Sequence, residues 1–105
     1  MATEATADTF AGLVAEGCVL VDFWGPRCVP CLSLMPAVEK LEERLPGLRV
    51  VKVNATENRQ VCRDLRVFGL PTFVFYRDGE ERSRLGSDAT AADITAAAVE
   101  LMGGE

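Results

Sequence analysis

Apolar residues recur along the chain in two patterns, one typical of buried strands and one typical of helices. Residues 18–24 are apolar at nearly every position and rich in β-branched and aromatic side chains, which predicts a central strand covered on both faces. Residues 49–53 and 72–76 have the same character, whereas residues 82–85 are polar and follow a turn at 77–80. This pattern predicts two further buried strands and one edge strand at the end of a hairpin.

Apolar residues at helical spacing occupy the segments between and around these strands. The first predicted helix begins near residue 10, the second ends near residues 46–47, the third covers 57–65 and the last follows Thr90. Thr90 and Asp93 resemble a capping box for the last helix. Pro36 lies inside the second helix, where its ring and missing N–H predict a kink rather than two separate helices.

The order of these elements predicts an α/β fold with a central mixed sheet of four or five strands and helices on both faces. The chain has 105 residues, which suits one compact domain and leaves no room for a second. We therefore expect a single domain over residues 1–105, with residues 1–7 forming a loose N-terminus.

Charge and composition narrow the range of partners and chemistries. The formal net charge is −5, the wrong sign for binding nucleic acid or an acidic membrane. No apolar run approaches the roughly 20 residues that cross a bilayer, and the N-terminus lacks the segments of a signal peptide, so we expect a cytoplasmic protein. Histidine is absent, which excludes Ser-His and Cys-His catalytic pairs and the commonest metal ligand.

Candidate chemistry lies in the segment Cys28-Val29-Pro30-Cys31, where a buried strand gives way to a helix. A cysteine at a helix start faces unpaired N–H groups, which favour the thiolate, and Arg27 adds a positive charge beside Cys28. Pro30 costs no hydrogen bond in the first turn. A disulfide closing so short a loop stabilises a fold by only about 2 kcal/mol, so exchange chemistry explains the pair better than reinforcement does.

Two other interpretations of the cysteines remain open at this stage. Zinc sites also use this motif, but they need two further ligands and no second pair is present. Cys18 lies in a buried strand and Cys62 on the inner face of a helix, where single cysteines usually act as small hydrophobic residues. We therefore expect no metal. The second alternative is that Cys28 and Cys31 form a disulfide that only stabilises the fold.

Asp22 is a candidate for proton transfer. Strand alternation directs its carboxyl group into apolar surroundings, and burial raises the pKa of a carboxyl group. A carboxylate that titrates near neutrality can take the proton from Cys31 when that thiol attacks. The alternative is a buried Asp22 paired with Lys52 on the neighbouring strand, and both roles can hold together.

From residue 10 to residue 102 the chain resembles the thioredoxin family. The resemblance is carried, in order and spacing, by V-D-F-W, C-V-P-C, the proline within the following helix, V-V-K-V-N, and G-L-P-T before an aromatic strand. It implies Cys28 as the attacking nucleophile, Cys31 as the resolving thiol, Asp22 as the buried acid and Pro71 as a cis-proline. Only about 5% of bonds before proline are cis in general, so the cis expectation for Pro71 comes from the resemblance alone.

The resemblance also implies a surface for substrates around the dithiol. A free backbone at Leu70 can pair with an extended substrate segment. Trp24 is either an aromatic residue of the core or part of the wall beside the dithiol, and we favour the wall. Pro30 belongs to the same predicted surface. Arg27 and Val29 stand where thioredoxins usually carry tryptophan and glycine, and these departures leave open which partners dock.

The function that follows is a monomeric thiol-disulfide oxidoreductase that reduces protein disulfides. It would need no bound cofactor and would receive electrons from a thioredoxin reductase. Two alternatives remain: a non-catalytic binding or assembly module with a similar surface, and a more oxidising, isomerase-like disulfide exchanger. The second alternative arises because Arg27 favours the reduced dithiol.

Overall fold

A computed structural model of the protein describes residues 2–103. Met1, Gly104 and Glu105 belong to the predicted domain, and Met1 to the predicted loose N-terminus, but all three lie outside the described residues. The helices and strands follow one another as β1 (Thr3–Ala5), α1 (Phe10–Val14), β2 (Cys18–Trp24), α2 (Val29–Arg44), β3 (Leu48–Asn54), α3 (Arg59–Asp64), β4 (Thr72–Arg77), β5 (Glu80–Leu85) and α4 (Ala91–Gly103).

The five strands form one mixed sheet in the order β1-β3-β2-β4-β5. Strand β2 is central, as its continuous apolar run predicts, and it pairs with β3 in parallel and with β4 in an antiparallel direction. The polar strand β5 lies at one edge, since a strand whose side chains are mostly exposed does not fit between two others. The predicted mixed sheet with helices on both faces is confirmed.

The expectation of a loose N-terminus over residues 1–7 is wrong for its middle part. Residues 3–5 form β1, which extends the sheet by pairing in parallel with β3, with Glu4 opposite Lys52. Only Ala5 of the three residues is buried. So short a strand has no periodicity of its own, and pairing with β3 decides its structure.

Each face of the sheet packs against its own pair of helices. Phe23 lies in the core cluster on one face with side chains of α1 and α3, and Leu20 lies in the cluster on the other face with side chains of α2 and α4. Alternation along β2 produces this division, because neighbouring side chains of a strand point to opposite faces. Asp22 therefore shares the face of Leu20 and is directed towards α2 and α4.

Local signals place the helix and hairpin ends. Thr90 and Asp93 exchange the predicted capping bonds at the start of α4, with lengths of 3.0 and 3.1 Å. Asp78 and Gly79 at the β4–β5 turn both have positive φ, the conformation that a two-residue hairpin requires. Helix α2 continues through Pro36 as one element. Within residues 2–103, no helix is long and apolar enough to cross a membrane.

Candidate active site

Cys28 and Cys31 form a disulfide at the junction between β2 and α2. Their Cα atoms are 5.2 Å apart, which lies within the usual range for this bond. The junction follows the end of the central strand, so the pair lies at the end of the sheet, where a partner molecule can approach. Cys28 is half-buried and Cys31 is only 1% exposed.

The start of α2 holds the sulfur of Cys28. Cys28 is the N-cap residue of the helix, and its Sγ accepts a hydrogen bond of 3.2 Å from the backbone N–H of Cys31. Pro30 lies in the first turn, where a missing N–H costs nothing. The N–H groups and the positive end of the dipole of a 16-residue helix thus meet at the sulfur, and in the dithiol form this arrangement stabilises a thiolate at Cys28.

Asp22 is buried without a hydrogen-bond partner for either carboxylate oxygen within the described part of the chain. Burial raises the pKa of this carboxyl group to about 7. The positive charge of Lys52 lowers the pKa, whereas the negative charges of Glu39 and Glu4 raise it. A carboxyl group with such a pKa can gain and lose a proton near neutral pH.

Lys52 lies opposite Asp22 in the β2–β3 register, but its ammonium group is directed elsewhere. Its Nζ donates a hydrogen bond of 2.8 Å to Glu39 Oε2 and lies 4.0 Å from Glu4 Oε1. Asp22 therefore carries no direct hydrogen bond from Lys52, and the alternative of a simple buried pair does not describe the site. Lys52 acts on Asp22 through its charge, and the carboxylates of Glu39 and Glu4 lie beside the same ammonium group.

Trp24 ends β2 beside the disulfide loop and is half-buried. Its indole Nε1 donates a hydrogen bond of 3.2 Å to Glu4 Oε2. Sequence reasoning missed both Glu4 and Glu39, because nothing in the spacing of either residue connects it to Lys52. Only the pairing of β1 with β3 and the packing of α2 on the sheet bring these side chains together.

Leu70 and Pro71 lie against the disulfide loop. The peptide bond between them is cis, as the family resemblance implied. A Cβ atom placed on Gly25 would lie 3.1 Å from Leu70 Cδ1 and 4.0 Å from Cys28 Cβ, so the Leu70 side chain and the disulfide flank the same buried glycine. Within residues 2–103, neither backbone polar group of Leu70 has a hydrogen-bond partner.

The outer surface around the disulfide carries apolar and basic side chains. Val29 is 71% exposed, and Arg27 and Pro30 are exposed as well. Phe68, two residues before Leu70, is 85% exposed. No sequence pattern singles out Phe68, because an isolated aromatic residue between two short elements is usually part of the core.

Cys18 and Cys62 are free thiols that lie in or against the core clusters on opposite faces of the sheet. The thiol of Cys18 lies 3.8 Å from the carbonyl oxygen of Leu101, and burial raises the pKa of the Cys62 thiol. Across the described residues, no group of three or more potential metal ligands comes together. Both cysteines pack as small apolar side chains, as predicted.

Comparisons with known proteins agree with this geometry. A family model described as thioredoxin matches residues 1–100. The chain is 39% identical over 97 residues to a thioredoxin from Acetoanaerobium sticklandii, covering 89% of this chain and 92% of that protein. It is 36% identical over 78 residues to a thioredoxin from Bacillus subtilis, covering 73% and 75% respectively.

Solved structures show the same likeness. Thioredoxin f2 from Chlamydomonas reinhardtii superposes with a TM-score of 0.90 at 25% identity, covering 100% of both chains. Thioredoxin from Fasciola hepatica superposes with a TM-score of 0.86 at 30% identity, covering 95% of this chain and 98% of that one. Together with the disulfide, these similarities do not favour the assembly module or the isomerase-like exchanger.

Proposed function

Because the chain belongs to the thioredoxin family and is a thiol-disulfide oxidoreductase that reduces protein disulfides, we propose that Cys28 is its nucleophile and Cys31 its resolving thiol. One observation carries this assignment. The sulfur of Cys28 is half-buried at the start of α2 and accepts the Cys31 N–H, whereas Cys31 is shielded behind it. An incoming disulfide therefore meets Cys28 first.

The reaction proceeds by two exchanges of a sulfur–sulfur bond. In the first, the Cys28 thiolate attacks one sulfur of the substrate disulfide, a mixed disulfide forms, and the other substrate sulfur leaves as a thiolate. In the second, Cys31 loses its proton and attacks Cys28 Sγ, which forms the Cys28–Cys31 bond and releases the second substrate sulfur. Two electrons pass to the substrate, and the protein is left oxidised.

Asp22 supplies the proton acceptor for the second exchange. It is buried on the sheet face that packs against α2, the helix that carries Cys31, and its pKa of about 7 suits proton transfer at neutral pH. Lys52 serves as a positioning residue, because its positive charge lowers the pKa of Asp22 and prevents a still larger rise.

Substrates dock on the surface formed by the exposed side chains around the disulfide and by the loop before β4. The unpaired backbone of Leu70 can form hydrogen bonds with an extended substrate segment, in the manner of an added strand. The side chains of this surface are those of Trp24, Arg27, Val29, Pro30, Leu70 and Pro71.

The oxidised protein returns to the dithiol by exchange with a separate reductase of the thioredoxin reductase type. Every electron transfer is an exchange between thiols and disulfides, so the reaction requires no bound cofactor. We also propose that the protein acts in the cytoplasm, because a disulfide reductase works in a compartment that keeps thiols reduced. We propose further that it is a monomer. Reduction of the Cys28–Cys31 disulfide by a purified thioredoxin reductase supplied with its own electron donor would test this part.

The Cys31→Ser variant provides the main test. Its Cys28 can attack a substrate disulfide, but no resolving thiol releases the product, so the variant accumulates as a mixed disulfide that a non-reducing gel detects. The Cys28→Ser variant should neither form this adduct nor reduce insulin disulfides. Cys18→Ser, which alters a free cysteine at the start of β2, at the other end of that strand from the motif, serves as the matched control and should keep full activity. Turnover by Cys28→Ser at the parent rate would refute the assignment.

A further inference from the structure

A cavity of about 420 Å³ opens beside the loop that leads to Leu70. Helix α3 contributes Arg59, Cys62 and Arg63 to its walls, and the loop contributes Phe68 and Leu70. The lining within the described chain contains two arginines and no acidic side chain. The cavity therefore combines an apolar wall with a positively charged one.

Leu70 connects this cavity to the redox site. Its side chain lines the cavity. It also lies beside Gly25, because a Cβ atom built on this glycine would be 3.1 Å from Leu70 Cδ1 and 4.0 Å from Cys28 Cβ. A substrate segment that pairs with the backbone of Leu70 thus reaches the cavity within a few residues, since an extended chain advances about 3.3 Å per residue.

The two arginines have no acidic partner among residues 2–103. Arg59 is exposed and takes part in no ion pair there, and Arg63 donates a hydrogen bond of 3.0 Å to the neutral side chain of Gln60. The chain as a whole carries a formal charge of −5, so this pair of cations is opposite in sign to the net charge of the protein. Guanidinium groups bind carboxylates through paired hydrogen bonds, and the rim thus matches an acidic group.

Phe68 supplies an apolar surface next to these charges. Its ring is 85% exposed although the residue lies in a loop of the site. Aromatic side chains, phenylalanine included, and arginines are enriched at protein interfaces relative to the rest of the surface. An apolar group of a partner can cover the ring while a neighbouring carboxylate meets the arginines.

We infer that this cavity selects protein substrates in which an acidic side chain lies close in sequence to the attacked cysteine, with Arg59 and Arg63 binding its carboxylate and Phe68 covering an adjacent apolar residue. The inference rests on the proposed function, because it requires the substrate segment to dock beside Leu70. It adds a sequence preference that the redox chemistry alone does not supply.

Peptides with one activated cysteine test this preference. Each peptide carries its cysteine as a mixed disulfide with 2-thiopyridine, whose uncharged leaving group adds no charge to the comparison. Attack by the Cys28 thiolate on the peptide sulfur releases 2-thiopyridone, and Cys31 then releases the peptide thiol and closes the protein disulfide. A series places Glu, Gln or Lys at each position from three residues before to three after the cysteine, in a background of Ala, Gly and Leu. Stopped-flow absorbance gives the second-order rate constant for each peptide.

At one position or more, the Glu peptide should react about fivefold faster than the Gln peptide at low salt, the size expected for a contact between partly exposed charges. The Lys peptide should react more slowly than both. In the Arg59→Gln/Arg63→Gln variant, the ratio of the Glu to the Gln rate should fall towards one. Added salt should reduce the ratio in the parent protein, an independent measurement that needs no variant.

The Arg49→Gln/Arg82→Gln variant is the matched control. It also loses two positive charges, but neither Arg49 nor Arg82 lines the cavity. Its ratio of the Glu rate to the Gln rate should therefore equal that of the parent. An equal loss of preference in both variants would assign the effect to overall charge and overturn the inference. Equal rates for the Glu and Gln peptides in the parent would also overturn the inference, but would leave the proposed function intact. If the parent reacted with none of the peptides, the proposed function itself would be contradicted.

Sedimentation velocity tests a second copy of the chain as the occupant. The parent should sediment as a monomer at the concentrations of the kinetic experiments. A dimer that the Phe68→Ala variant separates into monomers would show that the cavity surface binds another copy, and the inference of an acidic substrate segment would be wrong.

Discussion

Trp24 and Glu4 are joined by a hydrogen bond of 3.2 Å from the indole Nε1 to Oε2, although β3 lies between their two strands in the sheet. The other carboxylate oxygen of Glu4 lies 4.0 Å from Lys52 Nζ. A three-residue strand at the edge of the sheet thus contributes one side chain that contacts both the indole of Trp24 and the cation near Asp22.

Replacing Glu4 should therefore change the titration of Asp22. In Glu4→Gln the amide oxygen can still accept from Trp24, but the negative charge that raises the pKa of Asp22 is gone. The pKa of Asp22 should fall below its parent value, as the carboxyl carbon signal of Asp22 in NMR will report. Indole fluorescence should change in Glu4→Ala and much less in Glu4→Gln.

Glu43→Gln removes the same charge from an exposed position near the end of α2 and serves as the control for Glu4. It should leave the titration of Asp22 close to that of the parent. An equal shift in Glu43→Gln would mean that Glu4 acts only through the net charge of the protein.

Asp22 should make the stability of the protein dependent on pH. Its pKa is about 7 in the folded protein, against 3.8 for an aspartate side chain surrounded by water, so folding favours the protonated form. The stabilisation from the neutral carboxyl group is complete below about pH 3.8 and is lost as pH rises through 7. The difference between these pKa values corresponds to a loss on the order of 4 kcal/mol by pH 8.

Asp22→Asn should remove this loss, and urea denaturation at several pH values measures it. The oxidised variant should be more stable than the parent by a few kcal/mol at pH 8, and the gap should narrow as pH falls towards 4. Its mixed disulfide with substrate should persist longer, because the acceptor for the Cys31 proton is gone. Equal pH profiles for the two proteins would contradict the buried, unpartnered carboxylate.

Gly25→Ala should disturb the contact between the disulfide loop and Leu70. The added methyl group would lie 3.1 Å from Leu70 Cδ1, so Leu70 must shift, at a cost in stability of about 1 kcal/mol. Reduction of peptide disulfides should slow several-fold, because the Leu70 backbone moves with its side chain. Reduction of bis(2-hydroxyethyl) disulfide, which has no peptide backbone to pair with Leu70, should change less.

Gly12→Ala provides the matching control for Gly25. A Cβ atom at Gly12 meets no other atom within 4 Å, so this variant should keep the parent rates with both substrates. Parent-like peptide reduction by Gly25→Ala would show that the position of Leu70 does not limit docking.

Arg27→Gln should make the protein a weaker oxidant. The positive charge next to Cys28 favours the thiolate and hence the dithiol form, so its removal should lower the reduction potential by about 10 mV, the size of an exposed charge interaction. Equilibration with glutathione redox buffers measures this shift. Arg44→Gln, at the opposite end of α2, should leave the potential unchanged, and a rise in potential for Arg27→Gln would contradict the electrostatic effect of this charge.

Most of the fold could be predicted because its signals are local. The apolar run of β2, the capping pair Thr90 and Asp93, and the turn at Asp78 and Gly79 each specify an element within a few residues. Strand β1 could not be predicted, because the partner that gives it structure is β3, about fifty residues further along the chain.

The candidate site divides in the same way. Cys28 and Cys31 lie three residues apart, and alternation along a single strand places Asp22 in the core, so short-range patterns reveal all three. The contacts of Lys52 with Glu39 and Glu4 require a helix and two strands to be packed together. The cavity beside Phe68 likewise depends on how α3 packs against a loop, which no short pattern encodes.

The backbone amide of Cys31 points at the atom that changes most during turnover. It donates to Cys28 Sγ, which is a bonded disulfide sulfur in one state and, in the proposed mechanism, a thiolate in the other. The amide proton resonance of this single residue should therefore move downfield on reduction, since a charged acceptor forms a shorter and stronger hydrogen bond. One nitrogen-15 label would then report the fraction of reduced molecules continuously, without a dye, a coupled enzyme or an added substrate.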